Sequence, residues 1–159
     1  MVLAHARALL DSSEQGATEY IDADLRDTRK ILTRARQLLD FTKPVAVTLL
    51  SILHAIPDSD DPWSIVATVM DAVPPGSYLA ISTSAGDLMD AEALARLQDT
   101  WKGSVQQQLA FRDRDQIARF FAGTSLVEPG LVPVDEWRAG PGATAEGNSA
   151  MWAGVGRKP

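Results

Sequence analysis

The stretch Lys43–Asp61, KPVAVTLLSILHAIPDSDD, decides how the rest of the chain is read. From Pro44 to Leu53 it is almost wholly apolar and rich in β-branched residues and leucine, the pattern of a central parallel strand covered on both faces. His54, Pro57, Asp58, Asp60 and Asp61 then arrive together, and Pro62 is placed to open a helix. Open α/β sheets hold their ligands just past the carboxyl ends of such strands. A functional site is expected here.

Upstream, Thr18–Ala23 (TEYIDA) reads as a short strand closed by Asp24-Leu25-Arg26-Asp27. Asp27 suits the N-cap of a helix whose Ile31, Leu32, Ala35, Leu38 and Leu39 make an apolar stripe. Val2, Leu3, Ala6, Leu9 and Leu10 fall on one face of an earlier helix. Downstream, Ile65, Val66, Val69, Met70 and Val73 follow helical spacing until Pro74-Pro75-Gly76 stops the helix. Ser77–Thr83 reads as the next strand, and helices follow at about Asp90–Lys102 and Arg112–Phe121. Leu126–Glu128 and Leu131–Val134 read as an antiparallel pair around a Pro129-Gly130 turn. Ala139–Asn148 reads as a flexible hairpin connection, and Ala150–Arg157 as a final strand. Alternating strands and helices predict one α/β domain over residues 1–159, with a mostly parallel sheet and right-handed crossovers.

Composition narrows the function classes. A chain of 159 residues with 45% hydrophobic and 23% charged residues is ordinary for a globular domain. Net charge is −6 without a basic stripe, which argues against nucleic acid as a main partner. The cluster Arg26, Arg29, Lys30, Arg34 and Arg36 lies beside Asp22, Asp24 and Asp27 and reads as a solvated helix face. Without cysteine there is no disulfide and no thiolate chemistry, which fits a reducing cytoplasm. No run approaches the ~18 apolar residues of a membrane span, and His5 and Arg7 interrupt anything like a secretory leader. Asp58, Asp60 and Asp61 are read as stabilising a helix N-terminus, not as a metal site. Neither a Ser–His–Asp arrangement nor HExxH occurs, so hydrolase chemistry has no support.

The runs VLAHARALL, YIDADLRD, PVAVTLLSILHAIPDSDDP, VPPGSYLAIS, ARFFAGTSLVEPGLVPVDEWR and AGVGRKP, spread over nearly the whole chain, resemble actinobacterial class I S-adenosylmethionine (SAM)-dependent methyltransferases. The resemblance implies a Rossmann-like, mostly parallel sheet ending in an antiparallel hairpin, with SAM as cofactor. It implies that Asp24 accepts a hydrogen bond from the adenine amino group while the Leu25 N–H meets a ring nitrogen, with Asp22 as the second choice. It places Leu50, Ser51, Ile52, Leu53 and His54 beside the sulfonium and a small-molecule acceptor. His54 then suits a general base, since an imidazole titrates near ~6.5; a histidine among apolar residues also serves as a plain structural group. Trp63, Trp101, Phe111, Phe120 and Phe121 are expected in the core before an acceptor pocket.

Family members carry, ahead of the VLAHARALL helix, a strand with a Gly-rich loop and a second strand ending in an acid for the ribose hydroxyls. This sequence supplies neither and reads as N-terminally truncated. Gly154-Val155-Gly156 lies in the final strand and precedes no helix, so it does not form a phosphate-type loop. The 159 residues alone are therefore expected to bind SAM weakly or not at all. Unpaired sheet edges are also expected beside the TEYIDA and PVAVTLL strands, inviting a homodimer. The alternative reading is a non-catalytic, dimerising interaction module.

Overall fold

The computed structural model describes residues 16–102, 109–140 and 150–159, except for the side chains of residues 98 and 100–102. The expected helix at Val2–Leu10, His5, the Trp101 side chain and most of the 139–148 loop lie outside the described residues.

The elements are α1 (Thr28–Ala35), β1 (Ala46–Leu50), α2 (Pro62–Asp71), β2 (Tyr78–Ser84), α3 (Ala91–Lys102), α4 (Arg114–Ala118), β3 (Ser125–Leu126), β4 (Val132–Pro133) and β5 (Met151–Arg157). Asp27 caps α1 as expected, accepting from the Lys30 N–H at 3.0 Å. Pro62 opens α2, and Asp61 accepts from the Ser64 N–H at 3.3 Å. The far end of α2 is closed from the other end of the chain. Lys158 Nζ donates to the Met70 and Val73 carbonyls at 2.8 and 2.9 Å, a cation on the negative end of the helix.

The sheet is mixed. β1 and β2 are parallel, and β5 runs antiparallel to β2, placing Leu49 beside Ile81 and Ile81 beside Gly154. β3 and β4 each pair with β5, at Leu126↔Gly156 and Val132↔Ala153. The two segments expected to pair with one another thus share one edge of β5. Pro133 lacks an N–H to give to a ladder, and the long final strand offers partners to both segments. On one sheet face, Leu49, Leu79, Ile81 and Trp152 pack with Val66, Met70, Ile117, Phe120 and Phe121. Gly154 and Gly156 lie under the Phe121 ring. A Cβ on Gly154 would stand 3.1 Å from Phe121 Cζ, and one on Gly156 would strike Thr124 Oγ1.

Two expectations are corrected. Among the described residues the PVAVTLL strand is not covered on both faces, since exposed residues alternate along it with less exposed ones. Leu49 is buried, whereas Ala46, Thr48 and Leu50 point away from the helices, and Leu50 is 62% exposed. No strand forms over Thr18–Ala23, because no described strand lies alongside to complete a ladder. Among the described residues no helix is long and apolar enough to cross a membrane.

Candidate functional site

Because β1 and β2 are parallel, their carboxyl ends share one edge of the sheet. Ser51 continues the ladder there, its N–H donating to the Ser82 carbonyl at 2.8 Å. Its φ of +52° then turns the chain out of the sheet. A non-glycine residue in that region costs about 1–3 kcal/mol, and such strain gathers at functional sites. Leu50 and Ile52, 62% and 40% exposed, form an apolar shoulder at this turn. A single turn of 3₁₀ helix over Leu53–Ala55 follows and carries His54. The half-buried imidazole brings Nδ1 to 3.5 Å from Ser84 Oγ, at the last residue of β2. Burial, with the nearby Arg112 cation adding to it, pushes the His54 pKa below its ordinary value and so favours the uncharged ring.

Sequence reasoning missed Arg112. An arginine just before a capped helix reads as surface, yet this one is 2% exposed. Its guanidinium donates from Nη1 to the Leu53 carbonyl at 2.9 Å and from Nη2 to the Ile56 carbonyl at 2.7 Å. Nε and Nη2 both reach Asp58 Oδ1, at 2.9 and 2.7 Å. The charge also lies 5.3 and 5.5 Å from the stacked Trp63 and Phe120 rings. Phe120 and Phe121 belong to the core, as expected.

The three aspartates after Pro57 divide their work. Asp61 caps α2, as the sequence suggested for all three, while Asp58 holds Arg112 and Asp60 accepts from Arg26 Nη1 at 2.7 Å. Among the described residues no carboxylate and histidine group is arranged to hold a metal. The Arg26 bond joins the Asp24–Asp27 turn to the loop after β1. Asp24 is itself engaged: Oδ1 accepts from the N–H and Nε of Arg26 at 2.9 Å each, and Oδ2 from Nη2 at 2.7 Å. These bonds hold the Asp24 carboxyl at about 2, well below its usual value. Of its lone pairs, one on Oδ2 remains for a further donor. Leu25 is partly buried and packs against the core, and Asp22 is exposed.

The arrangement combines a half-buried imidazole, an apolar shoulder and a carboxylate with spare acceptor capacity. The glycines of the Gly154-Val155-Gly156 run are taken up by Phe121 packing.

Residues 1–159 match the sequence model of the S-adenosyl methyltransferase family. No curated protein matches the chain. Among solved structures it is similar to a DUF574 family protein from Streptomyces avermitilis, with 36% identity and a TM-score of 0.90 over 99% of this chain and 62% of that one. It is also similar to a proposed methyltransferase from Thermobifida fusca, with 31% identity and a TM-score of 0.82 over 99% of this chain and 59% of that one. The chain therefore spans about three-fifths of the length of these two actinobacterial relatives. An O-methyltransferase family protein from Burkholderia thailandensis, 16% identical with a TM-score of 0.55 over 88% of this chain and 35% of that one, shares the fold.

Proposed function

Since the chain belongs to the S-adenosyl methyltransferase family over its whole length, we propose that it provides the adenine side and the reacting end of a SAM cleft. The reaction is transfer of the SAM methyl group to a small-molecule acceptor. When bound, SAM supplies an electrophilic methyl group. Asp24 Oδ2 accepts from the adenine amino group, the Leu25 N–H meets a ring nitrogen, and Leu50, Ser51 and Ile52 line the cleft. Asp22 is the reserve carboxylate at the same turn. His54, its Nδ1 turned to Ser84, takes the proton from an acceptor hydroxyl or amine at Nε2.

The observation that carries this reading is the half-buried His54 beside Ser84 at the carboxyl ends of a parallel strand pair. None of the residues assigned here serves the ribose or the amino acid end of the cofactor. Calorimetric titration of the 159-residue chain with S-adenosylhomocysteine, the demethylated product, is expected to show no saturation at micromolar ligand. Micromolar saturation would contradict the division of the cleft.

A second reading has its own observation. The outer side of β1 is unpaired among the described residues and carries the exposed Leu50 and Ile52, which suits pairing with the β1 edge of another copy. Light scattering after size exclusion tests it: a dimer that takes up no S-adenosylhomocysteine at millimolar concentration favours an interaction module.

A further inference from the structure

The segment Ala110–Arg112 fills the space between the turn after β1 and the loop after β2. Its Ala110 N–H donates to the His54 carbonyl at 2.8 Å, and its Arg112 carbonyl accepts from the Gly86 N–H at 2.9 Å. The approach to Gly86 is close, since a Cβ there would stand 3.0 Å from the Phe111 carbonyl oxygen. The Arg112 side chain then reaches back to the carbonyls on either side of His54, at Leu53 and Ile56. A buried guanidinium is unfavourable unless its donors are satisfied in good geometry. Here that requirement fixes the turn bearing the imidazole.

We propose that Arg112 is a positioning residue: its buried fork clamps the Leu53–Asp58 turn and so sets where the His54 imidazole stands against Ser84. The relevance of this to catalysis rests on the reading of His54 as the base. The clamp itself is testable without turnover.

Among the described residues the charges around His54 are few. Arg112 acts on the ring directly, and Asp58 is bound to Arg112. Asp60, further along the same loop, is paired with Arg26. Asp87, in the loop after β2, accepts from Trp152 Nε1 at 2.8 Å and from the Arg114 N–H at 2.9 Å. Changing Arg112 or Asp58 therefore moves the field at His54 in opposite directions.

The test follows the His54 ring by NMR in the full chain carrying His5→Gln, which leaves one of its two histidines. In Arg112→Met, the titration midpoint of His54 is expected to rise and the nuclear Overhauser contact between its ring and Ser84 to disappear. In Asp58→Asn, which removes the negative charge paired with Arg112 but keeps an acceptor oxygen, the midpoint is expected to fall. A folded Arg112→Met chain that keeps either the parental midpoint or the Ser84 contact overturns the proposal. So does an Asp58→Asn midpoint that is unchanged or raised, and this arm decides the matter if Arg112→Met does not fold. Loss of the base reading, through a His54→Ala chain that still supports methyl transfer in a completed cleft, would leave these spectroscopic results standing.

Discussion

Arg26 closes on Asp24 with Nη2 at 2.7 Å from Oδ2, and its other terminal nitrogen reaches Asp60 at 2.7 Å. The carboxylate assigned to adenine is thus held in place by its own neighbour and tied to the loop after β1. Both charges are substantially exposed, so the pair serves orientation more than stability.

This pairing has a pH signature. The folded-state pKa of Asp24 is about 2 against an ordinary 3.8. Its contribution is complete above about pH 3.8 and is lost as pH falls toward 2. Arg26→Ala is expected to flatten that part of the acid-unfolding curve followed by circular dichroism. Parent and variant should converge below pH 2. A variant curve that stays parallel to the parent between pH 4 and 2 would contradict the pairing.

His54 acts in the same sense at a higher pH, as a base whose folded pKa is lowered. Below an unfolded pKa near ~6.5 the unfolded chain binds the proton more readily. Stability is therefore full above that pH and declines as pH drops toward the folded-state pKa. Urea unfolding at pH 8 and pH 5 should show the loss in the parent and less of it in His54→Gln. Equal losses in the two chains would refute the assignment.

Gly156→Ala is expected to cost about 1–3 kcal/mol through overpacking, because the new methyl would strike Thr124 Oγ1 and stand 3.0 Å from Phe121 Cδ1. Gly154→Ala should cost less, since its nearest contact is the Phe121 ring edge at 3.1 Å. Chemical denaturation measures both. A neutral Gly156→Ala would show that the Gly-Val-Gly run is not held there by packing.

Exposed Leu50 and Ile52 lie on or beside an unpaired strand edge. If copies pair through that edge, Leu50→Glu with Ile52→Glu should convert a dimer to monomer in light scattering, since charged side chains on an edge strand disfavour edge pairing. A dimer that persists unchanged must use another surface.

Much of this was legible in the sequence because helix and strand periods, proline stops and Asp27 are local signals. The position of His54 past β1 followed from one apolar run meeting one polar loop. Three features were not legible. The apolar run around Leu49 announces burial without saying on how many sides, and among the described residues β1 is covered on one. The TEYIDA strand required a neighbour that periodicity cannot supply. Arg112 and Lys158 form their bonds across 54 to 88 residues of chain, a separation that no short motif encodes.

The central proposal is that the Asp24–Leu25 turn and the Leu50–His54 end of β1 form the adenine side and the reacting end of one SAM cleft. A two-dimensional NMR titration of the 159-residue chain with S-adenosylhomocysteine to millimolar concentration tests it most directly. The account predicts progressive, fast-exchange shifts confined to the amides of residues 24–26 and 50–54. Shifts that leave both segments untouched and gather elsewhere, or no shifts at all, would contradict it.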